Sequence, residues 1–213
     1  MMNPNLTDIT FLLDHSGSMN EKKTDVVGGY NQFIHEQTKA SGVARFSFVQ
    51  FDSLDPREVI HDNVLIGEVP KMTNADFRPR GATPLYDALG MAIVATGVRL
   101  LAMEEGDRPG RVVFVVLTDG FENASEKYTK DQVKKMIQLQ QDTYQWVFMF
   151  LGVGIDAMRE GGEIGISAAT TADCSETKTS SGITLMSAKL ATARHTGLLS
   201  DFTYTDSDRA SLK

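Results

Sequence analysis

The apolar residues of this chain follow two alternating rhythms: short β-rich runs, and longer segments with apolar positions three or four apart. Residues 8–14 (DITFLLD) form an apolar run ending in an acid and predict a short strand. Over 22–39, Val26, Tyr30, Phe33, Ile34 and Gln37 recur at helical spacing and predict a helix. ARFSFVQF (44–51) alternates as a strand does, and 57–66 predicts a further strand, or a hairpin turning at Asp62-Asn63. Pro70, Pro79 and Gly81 mark 67–82 as a loop with room for a short helix. A long helix is expected over 84–104, with Leu85, Leu89, Ile93, Thr96, Leu100 and Met103 on one face. Thr83 is its expected N-cap, and Pro84 suits the first helical position, where no N–H is needed.

RVVFVVLTDG (111–120) is apolar on both faces, as a central parallel strand covered by helices should be. A helix at 129–141 follows, opened by a Thr129/Gln132 capping box. Then come a strand at 146–152 (WVFMFLG), a short helix at 156–162 and a last strand at 166–172 (ISAATTA). Ile183, Met186, Leu190 and Ala193 line a final helix over 182–196. One domain over 1–200 is expected, with 201–213 as a polar, loosely packed tail. The alternation predicts an α/β protein: a doubly wound, mostly parallel central sheet flanked by helices, Rossmann-like in character. In such sheets ligands bind beyond the carboxyl ends of the strands, near the point where strand order reverses.

Composition narrows the partners. With 213 residues, 41% hydrophobic and 23% charged, the chain suits one domain with one continuous core. The net charge of −7 and the lack of any basic run longer than two residues argue against nucleic acid. Apolar runs such as FLL and IGEV are too short to span a bilayer, so no membrane is expected. The start, MMNPNLTDITFLLDHSGSM, lacks the basic and long apolar regions of an export signal, and a cytoplasmic location is expected. On that expectation the glycosylation sequons at Asn5 and Asn123 are chance matches. Cys174, the single cysteine, reads as a reduced thiol in or near the core.

Three loops stand where ligands should bind. DHSGSM (14–19) follows the first strand, GATPL (81–85) opens the long helix, and TDGFEN (118–123) follows the central strand. Together they offer two carboxylates, Asp14 and Asp119, and three hydroxyls, Ser16, Ser18 and Thr83. An all-oxygen set suits a hard cation such as Mg²⁺, with Mn²⁺ the near alternative. Gly17 is expected to turn the backbone sharply so that both serines face one point. Two acids against a divalent charge leave a loaded site near neutral, ready for another carboxylate. Without metal, the two acids raise each other's proton affinity.

These residues closely resemble the metal-ion-dependent adhesion site (MIDAS) of von Willebrand factor A domains, whose pattern is Asp-x-Ser-x-Ser, then a Thr, then an Asp. Here it reads Asp14-His15-Ser16-Gly17-Ser18, Thr83 within GATPLYDAL, and Asp119 within LTDGFEN. The order of strands and helices agrees over about 8–196, nearly the whole chain. The resemblance implies that both serines ligate the metal directly and that Asp14 and Asp119 usually act through water. It implies that Thr83 binds directly or through water, depending on whether a ligand is engaged. The sixth position then goes to a Glu or Asp of a protein partner. The implied protein is a binding module without catalysis, closer to bacterial or phage stand-alone members than to secreted adhesion proteins. ATPases and chaperone-like complexes are among its expected partners.

Plainer readings stand beside these. His15 occupies the motif's variable position and reads as an exposed loop histidine, while Glu122 and Asn123 read as solvated. Asp87 is favoured in a helix's first turn by the dipole alone. GVGIDA (152–157) has the glycine spacing of a dinucleotide loop, but it follows a late strand, which favours a structural turn. A metal-assisted hydrolase or a nucleotide-dependent enzyme is the alternative function, although no nucleophile–base pair is visible. A structural subunit of a larger assembly is the other.

Overall fold

The computed structural model describes residues 2–213. Its centre is a parallel pair, β1 (Asn3–Asp14) and β4 (Pro109–Thr118), in register from Thr7 against Arg111 to Leu13 against Leu117. On one side β1 is followed by β2 (Val43–Phe51) and β3 (Glu58–Leu65); on the other, β4 is followed by β5 (Val147–Val153) and β6 (Thr171–Cys174). The sheet order is β3-β2-β1-β4-β5-β6, and β3 alone runs antiparallel to its neighbour. Strand order therefore reverses between β1 and β4. That is the switch point where such sheets bind ligands.

Side chains alternate across the sheet, so each central strand serves two cores. Val113, Val115 and Leu117 join Ile9, Phe11 and Leu13 beneath α1 (Lys23–Lys39) and α5 (Thr179–Thr196). Val112, Phe114 and Val116 join Leu12 and Phe51 beneath α2 (Leu85–Leu101) and α3 (Lys130–Tyr144). Burial on both faces explains why 112–117 is an unbroken apolar run. The capping box of α3 forms as expected, with Thr129 accepting from the Gln132 N–H and Gln132 from the Thr129 N–H. A short α4 (Ala157–Glu163) follows β5, and no helix among the described residues is long and apolar enough to cross a membrane.

One open local expectation is decided and three are corrected. Residues 57–66 make one edge strand rather than a hairpin, and Asn63, at φ 52°, sits where the register slips. Thr83 does not cap α2: the N-cap is Pro84, and Thr83 stands one residue further out. The last strand begins at Thr171, not 166, because the Thr170 and Thr171 hydroxyls bond the Phe148 and Ser167 carbonyls and a 3-10 turn forms instead.

The fourth concerns the end of the chain. Residues 201–213, expected to pack loosely, hold α6 (Asp206–Ser211) and bury Phe202, Tyr204 and Leu212 in the core beneath α5. The Ser175 N–H, just beyond β6, donates to the Leu212 carbonyl at 2.8 Å and ties the segment down. Three apolar residues scattered among polar ones show no helical or strand period, which hid this packing.

Phe202→Ala should therefore cost about 3–5 kcal/mol of stability in denaturant unfolding, the range for emptying a buried aromatic site. A loss within about 0.5 kcal/mol would mean that the segment is surface decoration.

Candidate metal centre

Asp14 ends β1 and is fully buried. Its Oδ1 accepts the Ser16 N–H at 2.7 Å, and its Oδ2 accepts the Thr118 hydroxyl at 2.6 Å. Burial, with the Asp119 charge adding to it, outweighs these hydrogen bonds and pushes the Asp14 carboxyl up to about 6. Beyond it, the chain enters a 3-10 helix over Gly17–Lys22. The Ser16 and Ser18 hydroxyls lie 3.2 Å apart, and Ser18 donates to Asp119 Oδ1 at 2.7 Å. Asp14, Ser16, Ser18 and Asp119 thus form one connected cluster across two strand ends.

Thr83 joins from the side. The Gly17 N–H donates to the Gly81 carbonyl at 3.1 Å, seating the 81–83 strip against the serine loop. A Cβ placed on Gly120 would stand 3.1 Å from the Thr83 hydroxyl, so Thr83 lies directly against the Asp119 loop. Gly81, at φ +66°, is where the loop needs glycine. Gly17 is not, because a Cβ there meets only ordinary contact; its role is to donate its N–H.

The unpaired N–H groups at the start of α2 are bonded by another loop. Asn123 Oδ1 accepts from Thr83 N, Glu122 Oε2 from Tyr86 N, and the Ser125 hydroxyl from Asp87 N. Asp87 returns the favour by accepting the N–H groups of Glu126, Lys127 and Tyr128. Glu122 and Asn123 are therefore not free solvated side chains. They cap the helix in place of Thr83, whose hydroxyl is left for other work.

His15 is also corrected, because it is buried rather than exposed. Its Nε2 accepts the Arg78 N–H at 3.0 Å, so Nδ1 carries the proton and donates to Asp52 Oδ2 at 3.0 Å. Burial lowers its pKa, with the Asp52 carboxylate pulling the other way. Asp52 and Glu58 lie near enough to His15 to suggest a second metal cluster. Arg80 already fills the cationic place, bonding Asp52 at 2.7 Å and Glu58 at 2.8 Å. The Leu54 and Asp55 N–H groups occupy Asp52 Oδ1, and the group reads as a clamp on the 78–82 strip.

Pattern reading missed Lys22 and Thr118. Lys22 reaches Asp119 Oδ2 at 2.9 Å, and Thr118 holds Asp14. Lys22 follows Ser18 by about one helical turn, the only hint in the sequence. GVGIDA forms the turn from β5 into α4, and a Cβ on Gly152 would collide with Ala157 at 2.7 Å. Close packing accounts for that glycine.

The serine hydroxyls fit a small hard cation. Adjacent ligands of an octahedral ion with bonds of about 2.1 Å are about 3.0 Å apart, and Ser16 and Ser18 are close to that spacing at 3.2 Å. Neutral hydroxyls and two carboxylates are the oxygen donors such ions prefer.

A doubly wound sheet gathering carboxylates and hydroxyls at its switch point defines a class of α/β ligand-binding domain. The sequence matches the von Willebrand factor type A domain over residues 8–185, and the chain belongs to that family. No curated protein matches it in sequence. Among solved structures, proximal thread matrix protein 1 from the mussel byssus is similar at 19% identity and TM-score 0.60, covering 84% of this chain and 44% of that one. That protein has also been solved with a zinc-occupied MIDAS motif. The pilus adhesin SpaC from Lactobacillus rhamnosus GG matches at 13% identity and TM-score 0.64, over 88% of this chain and 30% of that one. Manganese-loaded TRAP protein from Plasmodium vivax matches at 15% identity and TM-score 0.54, over 84% and 72%. The chain thus spans less than half of the mussel protein and of SpaC.

The raised carboxyl of Asp14 has a signed consequence in metal-free protein. Its folded pKa of about 6 lies above the ordinary 3.8, so the stabilising protonated form is complete below pH 4 and lost as pH rises through 6. In chelator, wild type should lose about 2 kcal/mol between pH 4 and 7 relative to Asp14→Asn. Denaturant unfolding across that range checks it, and parallel pH profiles for the two proteins would refute it.

Proposed function

We propose that this chain is a divalent-metal-dependent protein-binding module. Ser16 and Ser18 hold Mg²⁺ or Mn²⁺ through their hydroxyls, Asp14, Asp119 and Thr83 complete the protein's share, and an acidic residue of a partner closes the site. The observation that carries this reading is the pair of hydroxyls 3.2 Å apart beside two carboxylates at the sheet's switch point. The family match and the metal-bearing MIDAS of the mussel relative support it.

A binding role rather than a catalytic one is supported by His15. Both its ring nitrogens are engaged, one by Asp52 and one by the Arg78 N–H, so it is not poised as a base beside the serines. Charge points the same way. A chain of net charge −7 attracts an acidic partner poorly at long range, and a bound cation supplies attraction only within a Debye length of about 8 Å. Recognition is therefore local and metal-gated. Phe121, 42% exposed with the Arg159 guanidinium 4.9 Å above its ring, lies two residues beyond Asp119 and gives a partner apolar surface. A cytoplasmic setting suits a chain whose one thiol, Cys174, is buried and pushed up to about 12. An ATPase or chaperone-like assembly presenting a Glu or Asp is the partner the family resemblance suggests.

Mn²⁺ or Mg²⁺ at about 100 times its dissociation constant should stabilise the fold by about 2.7 kcal/mol, a rise of roughly 5–10 °C in melting temperature. EDTA should reverse it, and Ser16→Ala should abolish it together with metal-dependent capture of a partner. A melting temperature indifferent to millimolar metal and to chelator would end this proposal.

A further inference from the structure

Lys22 closes the 3-10 helix that follows the serine loop, and its side chain is only 9% exposed. Lysine is seldom buried unless paired, and here it has two partners: Asp119 Oδ2 at 2.9 Å and Glu176 Oε1 at 3.3 Å. Because Ser18 holds the other Asp119 oxygen, a carboxylate meant for a metal is already neutralised by the chain's own ammonium. Glu176 is 63% exposed and opens the Glu176–Lys178 turn that runs straight into α5.

Building on the metal-site reading above, we propose that Lys22 is a tethered counterion of Asp119 that competes with the divalent cation, and that Glu176 is the seat to which its ammonium withdraws when the cation binds. Together the two residues set how tightly the site holds metal. The charge count shows how. Asp14 and Asp119 alone carry −2, and a divalent ion brings them to zero; with Lys22 included, the sum is −1 before loading and +1 after. The lysine therefore weakens the pull on the cation, since like charges repel strongly in a partly buried site. It also leaves the loaded site positive, which favours an incoming carboxylate. Glu176 offsets this only in part, because an exposed charge is screened by solvent.

The test titrates the full chain with Mn²⁺ alone, at fixed pH and ionic strength, following free Mn²⁺ by electron paramagnetic resonance and heat by calorimetry. Lys22→Met and Lys22→Gln should bind Mn²⁺ about tenfold tighter than wild type, while Lys22→Arg, which keeps the charge, should stay close to wild type. Glu176→Gln should bind several-fold more weakly, and that loss should vanish when combined with Lys22→Met. Thermal unfolding in chelator confirms that each variant is folded. If folded Lys22→Met and Lys22→Gln bind no tighter than wild type, Lys22 is not a competitor. If Glu176→Gln weakens binding equally in both backgrounds, Glu176 is an independent surface charge and the seat is disproved. Binding by Lys22→Met where wild type shows none would support the proposal in its strongest form. If neither binds, and Ser16→Ala matches them, the metal-site reading itself falls and takes this one with it.

Discussion

Two carboxylates meet at the carboxyl edge of the sheet because β1 and β4 run parallel and in register, and the surrounding structure is arranged to tolerate their repulsion. Asp14 is held by a backbone N–H and the Thr118 hydroxyl, Asp119 by the Ser18 hydroxyl and the Lys22 ammonium. Neutral donors soften the first acid, and a full positive charge answers the second. Like charges so placed are unstable in water-poor surroundings, and the Lys22 ammonium is the cation that offsets them here.

The residues of this cluster are also held in place. The three loops are locked to one another by backbone hydrogen bonds and buried side chains. Gly17 donates to Gly81, Asn123 both donates to and accepts from the Thr83 backbone, and Asp87 gathers three successive N–H groups of the 126–128 turn. His15 and Arg80 pin the 78–82 strip to Asp52, which burial would raise in pKa but which the guanidinium and two backbone N–H groups hold below the usual range. Loops tied together in this way have little conformational freedom left to lose. The capping arrangement has a further consequence for chemistry. Glu122, Asn123 and Ser125 satisfy the start of α2, so Thr83 need not spend its hydroxyl on its own helix.

The same edge of the sheet joins the site to the rest of the molecule. Lys22 links the serine loop and the β4 loop to Glu176, just ahead of α5, and α5 in turn packs over the core that holds Phe202, Tyr204 and Leu212. A short route of ion pairs therefore runs from the serine and Asp119 loops to the turn that leads into α5. That route consists of one ammonium and two carboxylates rather than a long chain of packed residues.

Much of this was legible in the order of residues alone. The unbroken apolar run at 112–117 required a strand covered on both faces, and alternating strand and helix periods required a doubly wound sheet, because local periodicity records which faces are buried. DHSGSM and Asp119 stood out because hydroxyls and acids immediately after buried strands lie where such sheets bind ligands; Thr83, at the opening of a helix, stood out through the resemblance to the MIDAS pattern. Other features depended on neighbours distant along the chain. His15 looked like a loop residue until Asp52 and the Arg78 N–H were brought beside it, and Thr83 looked like a cap until Asn123 arrived from 40 positions away. Phe202 and Leu212 carry no period, so only the closing of the core over them shows that they are buried. Lys22 is one cation among 21 in the sequence, and folding alone places it against Asp119, since charge pairing across 97 positions leaves no local trace.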